Sequence, residues 1–159
     1  HRQSSAASDV YKRQGSENWP NFRRNTSEKF ESRLVQVTVE ESPSIFFKGM
    51  AGAVIPVPVA HGEGRVEASA NNLEFLSKNK YTSISYAGYD GMHTEDYPAN
   101  PNGSAQGIAG LTNKYGTVTI MMPHPERSFL NNQYSWSPDE WSHYSPWIKF
   151  FLNAREFIG

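Results

Sequence analysis

Residues 30–39, FESRLVQVTV, set Leu34, Gln36 and Thr38 against Val35, Val37 and Val39 in strict alternation. A period of two predicts a strand with one face turned to a core. Ser42-Pro43 breaks the pattern, and Ile45, Phe46 and Phe47 form a short apolar run closed by Gly49. Residues 54–60, VIPVPVA, lie between Gly52 and Gly62 and read as extended chain. Pro56 and Pro58 carry no N–H, and at a spacing of two both gaps face the same side. That strand is therefore expected to pair on one side only over this stretch. Residues 71–80 predict a short helix around Leu73, Phe75 and Leu76, and residues 82–87 another strand. Residues 107–112 and 117–122 read as a hairpin across Asn113-Lys114-Tyr115-Gly116. Ser137-Pro138-Asp139-Glu140 has the capping-box pattern with proline at the first helical position, which predicts a helix. Ser145-Pro146 opens a second, with Trp147, Ile148, Phe151 and Leu152 as its apolar face. Residues 88–106 are polar and too long for a simple turn; loops of that length are functional or disordered. Strands mixed with helices give an α/β class. The strand-rich middle and terminal helices have the character of the second half of such a domain.

Composition narrows the function. The 159 residues are 37% hydrophobic and 13% aromatic, which excludes wholesale disorder. The 15 basic and 16 acidic residues leave a formal charge of -1, so no basic excess points to nucleic acid or an anionic membrane. No apolar run approaches the roughly 20 residues of a membrane span. There is no cysteine, hence no disulfide, no thiolate metal site and no cysteine nucleophile in this chain. Residues 1–14, HRQSSAASDVYKRQ, have no helical or strand period and no hydrophobic run of signal-peptide length. They are expected to be a disordered or non-native leader, with the domain proper spanning residues 15–159.

Three segments carry candidate chemistry. The sharpest is Met121-Met122-Pro123-His124-Pro125-Glu126-Arg127, at the end of an apolar strand. Active sites gather at strand ends in α/β sheets. In extended chain residues two apart share a side, so His124 and Glu126 are expected to meet. A carboxylate accepting Nδ1–H fixes the imidazole tautomer and leaves Nε2 to exchange a proton with a nucleophile. Read alone, the pair also fits a surface histidine beside a salt bridge. The second segment is Ala60-His61-Gly62-Glu63-Gly64-Arg65, again at a strand end, either a binding loop for a small polar substrate or a tight turn. The third is Tyr97-Pro98-Ala99-Asn100-Pro101-Asn102-Gly103-Ser104, whose Asn and Gly residues make turns and can also line a site. His61, Glu63, His124 and Glu126 match no familiar zinc spacing, and no metal site is expected. Gly62-x-Gly64 lacks the lysine and helix of a phosphate loop. Trp136, Trp141 and Trp147 read as packing residues, and His93 and His143 as solvated ones.

Taken together, AHGEGR, YPANPNGS and TIMMPHPER, in this order and spacing, resemble the glutaminase domain of the phosphoribosylformylglycinamidine synthase family. This is the large single-chain form that ends in a class I glutamine amidotransferase domain. GSENWPNFRRNTSEKFESR and SPWIKFFLNAREFIG are similar to the same family, so the resemblance spans residues 15–159. It implies the distal portion of a flavodoxin-like domain, with a mixed sheet and C-terminal helices. It implies a cytoplasmic ligase of purine biosynthesis that hydrolyses glutamine and passes ammonia to its own synthetase domain. There ATP and magnesium drive amidation of formylglycinamide ribonucleotide; no cofactor is implied for the present segment. His124 takes the family's role of base and then acid, and Glu126 that of its orienter. His61, Glu63, Asn100, Asn102, Gly103 and Ser104 become candidates for shaping the glutamine pocket.

The family's nucleophile is a cysteine on a strand-to-helix turn just before the segment that begins here, and this sequence has none. The expectation is a fragment, inactive by itself and unstable when expressed alone. The alternative is a nucleophile-free module that binds glutamine or regulates a partner. A third option, a hydrolase pairing His124 with Ser128, lacks any sign of a nucleophile elbow.

Overall fold

The alternation read in residues 30–39 becomes strand β2 (Glu31–Val39), where Val35, Val37 and Val39 are buried and Leu34 is exposed. The structure is a computed structural model that describes residues 18–159. The expected leader at residues 1–14 lies outside the described residues. The remaining strands are β1 (Asn21–Arg24), β3 (Val54–His61), β4 (Glu63–Glu67), β5 (Thr82–Ala87), β6 (Ile108–Thr112) and β7 (Thr119–Met121). Helix α1 (Ala70–Lys78) precedes β5, and helix α2 (Ile148–Ile158) closes the chain. Five strands form one sheet in the order β3-β2-β5-β6-β7, and β1 pairs with β4 in a two-stranded ribbon. The expected α/β class holds. Among the described strands every ladder is antiparallel, a narrower result than the mixed sheet expected.

Strand β3 occupies the sheet edge that its prolines foretold. Leu34 faces Pro58 and Gln36 faces Pro56 across the β2 ladder. With no N–H at Pro56 or Pro58, a regular ladder cannot run along this edge, and among the described residues it meets only an isolated bridge from Pro123 to Val59. Its outward carbonyls are satisfied otherwise. Pro56 O accepts from the Tyr134 hydroxyl at 2.8 Å and from Trp147 Nε1 at 2.9 Å. Pro58 O accepts from the backbone N–H of His124 at 2.8 Å.

The core lies on both faces of the sheet. On one, Val35, Val37, Ile55, Val57, Ile84 and Tyr86 pack against Phe47 and Trp147, with Phe150 of α2 alongside. On the other, Leu76 of α1 meets Val66, Ile108 and Leu111. Helix α1 starts where Ser69 Oγ accepts the Asn72 N–H at 3.3 Å, an N-cap bond. Asn153 of α2 donates to Phe46 O at 2.8 Å and Lys48 O at 2.9 Å, tying the helix to the short 3₁₀ turn Ile45–Phe47.

One of the two expected C-terminal helices is absent. Ser137-Pro138-Asp139-Glu140 makes a single turn, Trp141 N to Pro138 O at 3.1 Å, and goes no further. Asn131 Nδ2 takes the carbonyls of Trp141 at 2.6 Å and Ser142 at 3.0 Å, and Tyr144 bridges to Leu130. Pro146 also disfavours helical geometry at Ser145, so the run after Pro138 is too short to propagate a helix. Trp136, read as a packing residue, is 78% exposed.

Candidate active site

The apolar residues of β7 bring the chain to the edge of the sheet beside β3. Met122 N–H donates to Ala109 O at 2.9 Å, Pro123 bridges to Val59, and His124 N–H reaches Pro58 O. The chain leading into His124 is thus fastened to β6 at Met122 and to β3 at His124 itself before its side chain is considered.

His124 and Glu126 do meet, Nδ1 to Oε1 at 2.8 Å. The local reason differs from the extended chain expected. Residues Pro125–Arg127 form a 3₁₀ turn with proline at its start, closed by Arg127 N–H to His124 O at 3.1 Å. Proline presets the turn dihedral, and the turn folds Glu126 back onto the ring. The Glu126 carboxylate is half exposed and Arg127 Nε lies 3.6 Å from the same oxygen. With Nδ1 engaged by an acceptor, Nε2 is the nitrogen left for proton exchange.

His61 ends β3 and is buried, opposite Glu31 in the β2 ladder. Burial holds its pKa below the usual histidine value, helped by the nearby charge of His124 and opposed by a hydrogen bond to its own backbone and, less strongly, by Glu31. The ring lies between Asn25 Oδ1, 3.3 Å from Nδ1, and the Tyr86 hydroxyl, 3.4 Å from Nε2. Glu63 is exposed at the start of β4, in register with Arg24. Gly64 has φ +119°, and a Cβ there would lie 2.0 Å from Met122 Sδ. This close approach packs the second segment against the first. Gly64→Ala is expected to cost about 1–3 kcal/mol, the usual range for a residue held in a sparsely populated conformation. The urea midpoint measures it, and the His124 ring resonances should move with Met122.

Asn100, Asn102 and Ser104 are buried and organise their own loop. Asn100 Oδ1 accepts the N–H of Gly103 at 2.9 Å and of Ser104 at 3.2 Å, while its Nδ2 donates to Ser104 O at 2.9 Å. Asn102 Oδ1 accepts the Ser104 N–H at 3.0 Å, and Asn102 Nδ2 donates to the Tyr86 hydroxyl at 3.4 Å. Ser104 Oγ accepts from Val66 N–H of β4 at 3.0 Å. At Gly103, φ is +77° and a Cβ would strike Thr26 Oγ1. The loop therefore leans directly on the β1–β2 turn.

The structure thus joins the second and third segments through Tyr86, and Asn25 fastens the second to the β1–β2 turn; the sequence reading singled out neither residue. Glu31 belongs here too: it is 5% exposed, accepts from Ser27 Oγ at 2.6 Å, and pairs with Arg33, which also donates to Tyr97 Oη at 2.8 Å. Ser128 is buried beside Tyr134 and Ser145, whose hydroxyl donates to Ser128 O at 2.6 Å. Among the described residues no three His, Asp or Glu side chains gather as metal ligands. Clefts of about 540 Å³ around Tyr134 and His143, and about 420 Å³ around Glu40 and His93, lie apart from His124. No described helix is long and apolar enough to cross a membrane.

The fold is similar to the solved structure of PurLQS from Thermotoga maritima, with a TM-score of 0.60 and 24% sequence identity. The match covers 88% of this chain and 53% of that one, so the chain spans about half the length of its neighbour. The family profile of the CobB/CobQ-like glutamine amidotransferase domain matches residues 6–158. A match over nearly the whole sequence, on a chain that brings His124 and Glu126 together at a strand end, places this protein in the CobB/CobQ-like glutamine amidotransferase family.

Proposed function

We propose that this chain supplies the acid–base half of a glutaminase site, with His124 moving the protons and Glu126 fixing its tautomer. The single observation that carries the reading is the 2.8 Å His124–Glu126 hydrogen bond, set in a chain of the amidotransferase family. The nucleophile is a cysteine thiol, which this sequence does not contain. His124 Nε2 takes the thiol proton as sulfur attacks the glutamine amide carbon. It returns that proton to the departing nitrogen, which leaves as ammonia. Water then attacks the thioester, again giving a proton to Nε2, and glutamate departs as the thiol is restored. The covalent intermediate splits one hard hydrolysis into two easier steps. Glu126 keeps the hydrogen on Nδ1 and stabilises the imidazolium formed in each half.

The substrate is glutamine, and the ammonia goes to the synthetase part of a phosphoribosylformylglycinamidine synthase in the cytoplasm. ATP and magnesium act in that synthetase part. A second reading follows from the missing thiol: a nucleophile-free module that binds glutamine without turning it over.

The test is ammonia release from glutamine, read by coupling to glutamate dehydrogenase. The chain by itself should release none. Joined behind a cysteine-bearing strand–turn–helix of a family member, it should release ammonia. Binding without turnover in the joined form favours the module. Ammonia release by the cysteine-free chain, lost on Ser128→Ala, would place the nucleophile inside this sequence and overturn the proposal.

A further inference from the structure

The side chains around His61 form a hydrogen-bond chain whose direction is fixed at both ends. Asn25 Nδ2 donates to two carbonyls, Lys29 O at 2.9 Å and His61 O at 2.7 Å, so its Oδ1 must be the atom facing the His61 ring. At the other end the Ser104 N–H can only donate, so Asn102 turns Oδ1 to it and Nδ2 to the Tyr86 oxygen. The phenol hydrogen is then free for His61 Nε2, and Nδ1 must carry hydrogen to meet Asn25 Oδ1.

We infer that His61 is a latch locked in its neutral Nδ1–H tautomer, which ties the loop carrying Asn102 and Ser104 to β3 and the β1–β2 turn through Tyr86. The other neutral tautomer would set a lone pair against Asn25 Oδ1 and strand the phenol hydrogen in the core. A proton gained at Nε2 would face the Tyr86 oxygen and leave the phenol hydrogen without its acceptor, which loosens the latch while Asn102 O keeps the Thr26 N–H and Ser104 Oγ keeps the Val66 N–H. The groups facing His61 are few. Glu31, opposite it on β2 and already paired with Arg33, favours the charged ring; His124 on the neighbouring segment disfavours it. From β5 comes Tyr86, whose phenol is held neutral by burial, and from the β1–β2 turn the uncharged Asn25. Burial decides the balance toward the neutral form. The sign follows: as pH falls through the ordinary 6.5, the open loop takes the proton before the latched one, so the latch weakens on acidification. The inference rests on this chain's geometry alone and stands whether or not the site takes glutamine.

Long-range proton–nitrogen correlation spectra of the ¹⁵N-labelled chain distinguish the two tautomers, with His61→Gln assigning the signal. Above neutrality the Nδ1–H form should exceed the other by roughly tenfold or more, the ratio that one misplaced buried hydrogen bond is worth. Tyr86→Phe, which fills the same space, should erase that excess and lower exchange protection of the Ser104 amide. On acidification, Ser104 protection should fall at the midpoint of His61 titration while the Val37 amide in β2 stays protected. A dominant Nε2–H form in the unsubstituted chain overturns the inference, whatever the variants do. So does titration of His61 with Ser104 protection unchanged, and so does loss of Val37 protection in the same step, which marks global unfolding.

Discussion

In a polypeptide that joins this segment to a cysteine nucleophile and to the proposed synthetase part, His124→Ala should lower glutamine-dependent turnover by about 10²–10⁴-fold, the usual worth of a positioned acid–base group. Synthesis fed with free ammonia should be unchanged, because ammonia bypasses every step in which Nε2 moves a proton. The fall should appear in kcat more than in KM, since a proton-transfer group acts in the transition state rather than in ground-state binding. Glu126→Gln is the sharper companion. An amide can still accept from Nδ1–H through its oxygen, but it can equally turn its NH₂ to the ring and select the wrong tautomer. The carboxylate is half exposed, and Arg127 shares its oxygen, so solvent screens part of its charge. Glu126→Gln should therefore lose less than His124→Ala and change the pH profile of kcat/KM. Equal loss of the glutamine-fed and ammonia-fed reactions would make His124 a structural residue instead.

Sequence patterns foresaw β2, β3, β5, β6 and β7 because their causes are local, whereas β1 and β4, which pair only with each other from distant parts of the chain, were read as loop and turn. The valines of β2 declare themselves by alternation, and the edge position of β3 follows from covalent chemistry, since two prolines remove two donors from one side. The β6–β7 hairpin is likewise set by its own turn, with Gly116 N–H to Asn113 O at 3.0 Å. His124 and Glu126 were legible as a pair from their spacing alone, but the 3₁₀ turn that unites them was not. What stayed hidden depends on distant partners. Tyr86 looks like one more apolar strand residue; its hydroxyl finds His61 across 25 positions, and Asn25 finds the same ring across 36. Asn100, Asn102 and Ser104 read locally as turn formers, and only burial beneath β4 and against Thr26 makes them a polar core. The false helix at Ser137 failed for the same reason. Its capping box was present, but Asn131 and the Leu130–Tyr144 bridge claimed the backbone first.

Trp147→Ala should be the most damaging single change to the fold, at about 3–5 kcal/mol, the usual cost of removing a large buried aromatic. The side chain is fully buried and meets Phe47 edge-on at 6.4 Å and Phe150 at 6.5 Å between ring centroids. Its indole N–H also donates to Pro56 O. Against the 5–15 kcal/mol of a typical domain, such a loss leaves little margin. The damage should reach the site as well, because Pro56 and Pro58 lie on the same outer edge of β3, and Pro58 O holds the backbone of His124. Trp147→Phe separates the two contributions. It keeps most of the apolar contact and removes the hydrogen bond, so it should cost about 1 kcal/mol beyond the packing change, while Tyr134 continues to satisfy Pro56 O. Urea unfolding followed by tyrosine fluorescence and by backbone dichroism reads both variants. A cost below about 1 kcal/mol for Trp147→Ala would contradict the packing of α2 on the sheet, since no buried aromatic at the centre of a core is that dispensable.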